Sequence, residues 1–403
     1  MRILFVIPKL VSYRSFLREL CRSLLEDGME VHIACSGEKL WSNGAGPDAD
    51  GVQMHAIDFP RGMNPVGHLR AARQLRRMVA EIQPDVVHAH FSAALFTTAL
   101  ARKAAWPKTF GTFHGVSFLA LTGWKATILR RAESWAAKRF DTAWVLTDDD
   151  RRGLEAAAPK AVVRRMPGFG VGCDLARYSA PAANVRAELR RRLGCEADDV
   201  VFAFVGRFAE FKGFALVVRA FLQLRATKEN VRLLLIGIRD RLHPTGLTVE
   251  EEKALAASAD VVDLGFRDDV ERWLPAADVM VFPSRREGMP VCVMEALALG
   301  IPVITAQTRG CREVVRHRVD GLVLPMLSLD CLRSAMQLAV EDESLRQRWG
   351  ACARSGRDRF DRNHFVEEQK RLLAAVTSTR EEPRRARAEK PSAIGPLQEL
   401  TEV

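Results

Sequence analysis

The chain lacks the long apolar segments that would carry it across a membrane. Its first residues, Met1-Arg-Ile-Leu-Phe-Val-Ile-Pro8, hold an apolar run of only five residues, which predicts a first β-strand rather than a secretion signal. No later window approaches the roughly 20 apolar residues that a transmembrane helix needs. We therefore expect a cytoplasmic protein whose contact with a membrane would be peripheral.

Motifs for redox chemistry, metals and common nucleotide folds are also missing. The eight cysteines are scattered, with no C-x-x-C pair and no histidine at metal-ligand spacing from a cysteine, which predicts reduced, mostly packed thiols. The chain has neither the Walker A pattern G-x-x-x-x-G-K-[ST] nor G-x-G-x-x-G. We expect neither a cofactor nor a metal site.

What the sequence does contain is strand-like runs alternating with segments of helical spacing, twice over. This alternation predicts an α/β protein with two parallel sheets, each covered on both faces. The predicted strands are 3–7, 31–35, 86–87, 109–113, 143–146, 200–205, 233–236, 261–264, 279–282 and 302–305, with helices at 17–28, 69–82, 93–102, 124–139, 214–224 and from 290.

Composition divides the chain into regions. Glycines, Pro181 and a charged run at 186–192 interrupt the alternation, so we place a linker at 171–196, between domains 1–170 and 197–357. Helical spacing continues through a last helix at 358–377. Residues 378–403 are rich in Arg, Glu, Pro and Ala, and we expect them to be disordered.

The charge balance favours an anionic partner. Lys and Arg exceed Asp and Glu by ten, which suits nucleic acid, a membrane surface or phosphorylated small molecules. Nucleic acid is disfavoured because no known binding module accompanies the charge. Basic residues interleaved with apolar ones on first-domain helices form either a solvated face or a docking face for anionic lipid: Arg70, Arg73, Arg76, Arg77, Lys125, Arg130, Arg131, Lys138 and Arg139, with Trp124, Ile128, Leu129 and Trp135.

Residues 285–303 carry two glutamates on either side of a Gly-Met-Pro turn. An apolar strand at 279–282 precedes them and a helix is predicted from Pro290 onward. Glu287 should therefore lie in a loop at the carboxyl end of a strand and Glu295 inside the next helix. In open α/β sheets, ligands bind in that crevice. Taken singly, Glu287 is better explained as a surface loop residue and Glu295 as a helix residue with local partners; only together with the neighbouring cations do they favour a binding site.

A second candidate follows the strand at 200–205. In Gly206-Arg-Phe-Ala-Glu-Phe-Lys212-Gly, Gly206 allows a tight turn, while Arg207 and Lys212 place cations where the next helix begins. These cations would suit a diphosphate, although a solvated loop pair is an equal alternative. Carboxylates bind sugar and ribose hydroxyls, so the two segments together predict a nucleotide-sugar site.

These motifs resemble the nucleotide-sugar-binding domain of the retaining family 4 glycosyltransferases of GT-B fold. The resemblance rests on Gly206-Arg207, Lys212-Gly213, the Glu287/Glu295 pair with Gly288, and the run Glu-Ala-Leu-Ala-x-Gly-x-Pro-Val. Further segments are similar to bacterial enzymes that build capsule, exopolysaccharide and O-antigen repeat units: Val86-Val-His-Ala-His-Phe, Thr112-Phe-His-Gly-Val-Ser-Phe and residues 166–178. The likeness covers roughly 1–376.

The resemblance implies two Rossmann-like domains facing each other across a cleft, the first binding acceptor and the second the donor, with the C-terminal helix returning to the first. It implies a catalytic set of Glu287 at the sugar, His114 from the opposite domain, and Arg207 and Lys212 on the diphosphate. Glu295 would bind the ribose, and the base would lie near Phe266 and Arg267. The remaining implied donor contacts are Gly206, Gly288, Met289, Pro290 and Val291.

The sequence departs from this family at the acceptor side. A Gly-Gly loop usually follows the first strand, where this chain has Pro8-Lys-Leu-Val-Ser-Tyr-Arg-Ser-Phe16. Ser12, Arg14, Ser15 and His90 remain acceptor candidates, although a packed histidine would also explain His90. One glycine, Gly310, stands where two are common, and Glu313 can be structural.

Two aspartate strings are candidates for a metal site, but the sequence around each favours another explanation. Asp48-Ala-Asp50 lies in a Gly/Pro-rich stretch, which predicts a solvated surface segment. Asp148-Asp-Asp150 follows a predicted strand, but Thr147 with Asp150 three residues later reads better as a helix N-cap with acids in the first turn.

The expectation is a metal-independent hexosyl- or N-acetylhexosaminyltransferase. Its donor would be a nucleoside-diphosphate sugar, with UDP favoured, and its acceptor a polyprenyl-diphosphate-linked saccharide at the inner face of a bacterial plasma membrane. UDP and the polyprenyl acceptor follow from the resemblance alone. Alternatives are a transferase of the same fold acting on a soluble or phospholipid acceptor, and a non-catalytic nucleotide-sugar-binding protein.

Overall fold

The computed structural model describes residues 1–36, 51–60, 62, 64–240 and 243–388, with side chains described as far as residue 375. Within this part of the chain, no helix is long and apolar enough to cross a bilayer.

The first sheet consists of seven parallel strands in the order β3-β2-β1-β4-β5-β6-β7. Its centre is buried between helices on both faces, since β4 is buried throughout and β1 is buried from Ile3 to Ile7. Chain order reverses between β1 and β4. The strands are β1 Arg2–Lys9, β2 Glu30–Ser36, β3 Gln53–Ala56, β4 Val86–His90, β5 Lys108–Phe113, β6 Thr142–Val145 and β7 Val163–Arg165.

Helices cover this sheet on both sides. The N-cap predicted at Thr147 is confirmed, since its side chain accepts a hydrogen bond from the amide of Asp150. The helices are α1 Leu10–Phe16, α2 Arg18–Glu26, α3 Pro65–Ile82, α4 Ser92–Ala101, α5 Gly123–Ala137 and α6 Asp148–Ala157, with a short 3₁₀ turn at Ser117–Ala120.

The region taken as a linker contains a helix, α7 Ala183–Arg192. Its charged composition suggested irregular chain, but two of its arginines are anchored on the second domain. Arg190 and Arg186 donate to the two carboxylate oxygens of Asp278 at 2.9 and 2.7 Å. These ion pairs hold α7 in place without the periodic apolar residues by which a helix is predicted from sequence.

The second sheet repeats the design with six parallel strands in the order β10-β9-β8-β11-β12-β13. Chain order reverses here between β8 and β11, and both strands are buried throughout. The strands are β8 Val200–Val205, β9 Val231–Ile236, β10 Val261–Asp263, β11 Val279–Phe282, β12 Val303–Ala306 and β13 Gly321–Leu324.

The helices of the second half include the one predicted to carry Glu295. They are α8 Phe214–Arg225, α9 Val249–Ala257, α10 Val270–Trp273, α11 Val291–Ala298, α12 Arg309–Val314, α13 Leu329–Glu341 and α14 Glu343–Ser355, with 3₁₀ turns at Glu210–Lys212, Leu274–Ala276 and Arg357–Phe360.

The chain then crosses back to the first domain. The backbone of Cys173, leaving the first domain, bonds to Phe360 and Arg362 on the returning segment at 2.7 and 3.1 Å. The last helix, α15 Arg362–Ala388, places Lys370 2.7 Å from Asp27 beyond α2. This helix continues eleven residues past position 377, where the sequence interpretation ended it.

Candidate active site

A cavity of about 670 Å³ lies between the two domains, at the point where both sheets reverse their strand order. Loops at the carboxyl ends of β1, β4, β5, β8, β11 and β12 supply its walls, as expected for open α/β sheets. Polar and charged residues on these walls are Ser12, Ser92, His114, Ser117, Arg207, Lys212, Arg286, Glu287 and Arg309. Its apolar lining includes Phe16, Phe91, Leu121, Leu129, Leu146, Val171 and Phe211.

Glu287 and Lys212 form an ion pair at the second-domain wall of this cavity. The Nζ atom of Lys212 lies 2.5 Å from Oε1 of Glu287, and their side chains are only 17% and 10% exposed. Seventy-five positions separate the two residues, and the neighbouring strands β8 and β11 bring their loops together. The sequence predicted both residues but not that each is the other's partner.

Three cations surround the ring of Phe211 in the same loop system. Arg207, Arg286 and Lys212 lie 5.1, 5.3 and 5.7 Å from the ring centroid, within cation–π range. Arg207 also forms an ion pair with Asp240. Such a cluster is suited to an anion, and Arg286 is the member that sequence reasoning missed. Its place directly before Glu287 was the available signal.

His114 lies on the first-domain wall, held by neighbouring rings. It stacks on Phe91 at 4.0 Å between centroids and meets the edge of Phe16 at 5.5 Å. Phe91 has a positive φ of 68°, a strained conformation for a side chain other than glycine. In this conformation the Phe91 ring lies against the imidazole of His114.

His90 supports His114 from beneath rather than lining the cavity. Nδ1 of His90 lies 3.1 Å from Nε2 of His114, while Nε2 of His90 is buried with no hydrogen-bond partner among the described residues. His88 bonds to Thr112 at 2.8 Å. Burial lowers the pKa of His114 and of His88 to about 3, and that of His90 well below its usual value. All three imidazoles are therefore neutral near pH 7.

The domains touch at the floor of the cavity through glycines. A Cβ atom at Gly288 would overlap the carbonyl oxygen of His114, and one at Gly310 would overlap the carbonyl oxygen of Gly288. Only residues without side chains allow the loops after β5, β11 and β12 to approach so closely. The single glycine at 310 therefore has a packing role here.

Ion pairs reinforce this contact along α12 and the start of α6. Arg309 pairs with Asp150 and donates to the carbonyl of Val116 at 3.0 Å. Arg312 pairs with Asp149 in the same way. Burial raises the pKa of Asp150 and the charge of Arg309 opposes that effect. These charges connect the two domains directly beside the cavity.

Glu313 and the remaining aspartate of the string take part in the same interface. Glu313 accepts from Arg165 at 3.0 Å and from the amide of Asp148 at 3.3 Å. Arg165 also lies 3.3 Å from the carboxylate of Asp148. The string at 148–150 is thus engaged with arginines, whereas Asp48 and Asp50 lie outside the described residues.

Glu295 lies on α11, away from the lining of the cavity. It hydrogen-bonds with the hydroxyl of Tyr178, and Arg362 and Arg177 contribute favourable charge. Burial is the larger effect and raises the pKa of the Glu295 carboxyl. The two glutamates therefore occupy different environments, Glu287 at a cation in the cavity and Glu295 beside a tyrosine near the interdomain crossing.

Two family models match the chain. Residues 13–168 match the glycosyl transferase 4-like domain, and residues 185–356 match the glycosyl transferases group 1. The N,N'-diacetylbacillosaminyl-diphospho-undecaprenol alpha-1,3-N-acetylgalactosaminyltransferase of Campylobacter jejuni is 30% identical over 337 residues, which are 81% of this chain and 86% of that protein.

The chain belongs to the family 4 glycosyltransferases of GT-B fold.

Other similarities agree with this membership. The UDP-Gal:alpha-D-GlcNAc-diphosphoundecaprenol alpha-1,3-galactosyltransferase of Escherichia coli is 25% identical over 71% of this chain and 74% of its own length. The Anabaena protein HepE, solved in complex with UDP, superimposes with a TM-score of 0.74 at 18% identity, covering 93% of this chain and all of that chain. WaaG, a glycosyltransferase involved in lipopolysaccharide biosynthesis, gives 0.71 at 17% identity, covering 91% and 98%. The predicted GT-B fold is confirmed.

The other residues predicted for donor binding in this glycosyltransferase lie at different places, some in the cavity and some outside its lining. Gly206 directly follows β8 and has a φ of 142°, and Met289 lines the cavity. Pro290 immediately precedes α11, which begins at Val291. In the loop after β10, Phe266 is 70% exposed, and Arg267 forms a bidentate pair with Asp269, both bonds 2.8 Å long.

The acceptor candidates of the glycosyltransferase also divide. Three of the four candidates lie on α1. Ser12 lines the cavity, whereas Arg14 and Ser15 are exposed and lie outside its lining. His90 is buried behind His114. The structure therefore brings one of the four candidates into the cavity.

The buried histidines predict a specific loss of stability in acid. The pKa of His90 is depressed in the folded state. Below about pH 6.5, His90 therefore binds a proton in the unfolded chain but not in the folded chain, and the free energy of unfolding falls as pH drops. His90→Gln should reduce this slope between pH 6.5 and 5 by up to about 1.4 kcal/mol per pH unit.

Chemical denaturation at a series of pH values measures the slope, with His364→Gln at an exposed position as control. Equal slopes for the native chain and His90→Gln would show that His90 is protonated in the folded state.

Proposed function

We propose that this glycosyltransferase transfers a hexosyl or N-acetylhexosaminyl group from a UDP-sugar to a polyprenyl-diphosphate-linked saccharide, with retention of anomeric configuration and without a metal ion. The observation that carries the proposal is the ion pair between Lys212 and Glu287, in a cavity whose opposite wall presents His114. A cation for the diphosphate and a carboxylate for sugar hydroxyls stand side by side.

The proposed chemistry is electrostatic. As the bond between the sugar carbon and the diphosphate oxygen breaks, negative charge develops on the diphosphate, and Lys212 and Arg207 stabilise it. Fixed cations in a partly closed cavity do this without reorganising solvent. Glu287 accepts hydrogen bonds from the transferred sugar and so leaves Lys212 when donor binds. His114, neutral at pH 7, offers a hydrogen bond from the other domain.

Glu295 is proposed to bind the ribose. Its carboxylate currently holds the hydroxyl of Tyr178, an interaction that a ribose hydroxyl can replace or share. The base would then lie towards the loop of Phe266 and Arg267, where an exposed aromatic ring is available for stacking. The backbone N–H groups of Gly288 and Met289, just before α11, and of Val291 at its start complete the proposed donor contacts, while Pro290, which has no N–H, contributes only packing.

The names of relatives support the choice of donor and acceptor. The Escherichia coli relative is named for UDP-Gal and a diphosphoundecaprenol acceptor, and the Campylobacter jejuni relative for a diphospho-undecaprenol acceptor. The Anabaena structural neighbour was solved with UDP. We extend these substrates to this chain as classes, since the residues at the cavity suit a diphosphate and a sugar.

A membrane-facing surface is proposed on α5 of the first domain. Trp124, Ile128 and Trp135 are 70%, 44% and 41% exposed there, and Leu129 on the same helix lines the cavity. The apolar face thus continues from the surface towards the site, a path that suits a lipid-linked acceptor at the inner face of the plasma membrane.

The basic residues of the first-domain helices divide into two groups. Arg76 donates to the carbonyls of Leu100 and Ala101, at 2.6 and 2.9 Å, and Arg139 donates to the carbonyl of Arg102 at 2.8 Å. These two arginines are therefore partly committed to the fold. The exposed residues Arg70, Arg73, Arg77, Lys125, Arg130, Arg131 and Lys138 are available for anionic headgroups.

Replacing either member of the central ion pair should abolish most turnover. We expect Lys212→Ala and Glu287→Gln each to lower the rate of nucleoside diphosphate release by about 100-fold or more, the typical loss when one preorganised group is removed. The assay offers UDP-, GDP- and ADP-sugars together with extracted lipid acceptor or soluble saccharides. UDP-sugar with lipid acceptor should give the highest rate.

Lys228→Ala and Glu341→Gln, which each remove one member of a 2.9 Å ion pair outside the cavity, are the matched controls and should retain the native rate. Near-native release by Lys212→Ala or Glu287→Gln would contradict their roles. Donor binding by the native chain with no release in any combination would instead favour a nucleotide-sugar-binding protein without turnover.

Membrane docking should depend on Trp124 and on salt. We expect the chain to co-sediment with vesicles containing anionic lipid at low salt, to be released partly by high salt, and to bind less after Trp124→Ser because an exposed apolar anchor is lost. Val249→Ser, at an equally exposed position on the second domain, is the control. Failure to co-sediment at low salt would eliminate this surface as a docking site.

A further inference from the structure

We propose that Arg286 is a further diphosphate-binding residue of the cavity, a role that rests on the proposed function. Its guanidinium lies 5.3 Å from the ring centroid of Phe211, on the wall that also carries Arg207 and Lys212. The three cations therefore face the same space around one aromatic ring.

The other cations of the cavity wall already have carboxylate partners. Arg207 pairs with Asp240, Lys212 with Glu287 and Arg309 with Asp150. Within the described part of the chain, no carboxylate lies within ion-pair distance of the Arg286 side chain. Arg286 thus adds positive charge to the cluster without local compensation.

An anionic ligand would neutralise the positive charge of Arg286. For a diphosphate to reach Arg207 or Lys212, those side chains must exchange Asp240 or Glu287 for phosphate oxygens. Arg286 has no such pair to break, so its forked N–H groups can bind phosphate directly. It can also neutralise the charge of a diphosphate while Lys212 is still bound to Glu287.

The neighbouring arginine shows that position 286 is distinct. Arg285 does not line the cavity, and its nearest carboxylate is Glu210 at 3.9 Å, with both side chains 59% exposed. Adjacent residues of identical chemistry thus face different surroundings, which gives a matched control one position away.

The diphosphate can come from the nucleotide donor or from the lipid-linked acceptor, and both carry the chemistry that Arg286 recognises. Calorimetric titration of the full chain with UDP, uridine, inorganic diphosphate and farnesyl diphosphate distinguishes these sources. Arg286→Ala should weaken binding of at least one diphosphate by about tenfold or more, as expected for a lost charge-assisted hydrogen bond. Arg285→Ala should stay within about twofold of the native chain.

A loss confined to UDP assigns Arg286 to the donor, and a loss confined to farnesyl diphosphate assigns it to the acceptor. Uridine affinity should not change in either variant. The proposal for Arg286 would be overturned if Arg286→Ala and Arg285→Ala had equal effects, or if Arg286→Ala bound all three diphosphates with native affinity. In either case, UDP binding by the native chain would still support the proposed function. Native binding of inorganic diphosphate without UDP would contradict the donor class and leave the Arg286 comparison valid.

Discussion

The reversal of strand order at the centre of each parallel sheet determines where this protein can bind a ligand. In the first sheet the reversal lies between β1 and β4, and in the second between β8 and β11. Loops leaving neighbouring strands diverge at these points and open a crevice. The two crevices face each other, so the loops carrying His114, Lys212 and Glu287 share one cavity although the residues are far apart in the chain.

Close contact between the domains depends on backbone as much as on charge. Gly288 fits against the carbonyl of His114 only because it has no Cβ, and the pairs of Arg309 and Arg312 with Asp150 and Asp149 lie beside that contact. Asp150 is fully buried, so removing Arg309 would leave a buried carboxylate without its cation. The domain interface and the cavity are thus built from the same loops.

Apolar periodicity was enough to predict the central strands, and β8 and β11 have the bounds that their sequences predict. It was not enough for the edge strands β3 and β7, in which no residue is fully buried, or for β13. Helix α7 lies within the predicted linker and has no apolar period to reveal it, because Arg186 and Arg190 bind Asp278 where other helices use apolar contacts.

Motif reasoning identified Glu287, Lys212 and His114, and the structure brings all three to one cavity. It could not show that Glu287 pairs with Lys212, that His90 supports His114, or that Arg286 joins the cation cluster. Each of these contacts joins loops from different strands and depends on how the crossovers are wound. Their assigned roles in donor and acceptor binding remain proposals.

The most direct test of the account is hydrogen–deuterium exchange of the native chain with and without a UDP-sugar. If the cavity between the domains is the donor site, amides at 206–213 and 287–295 should exchange more slowly with ligand, together with those at 114–117 of the first domain. Protection confined to another surface, or no protection at saturating ligand, would contradict the assignment of this cavity.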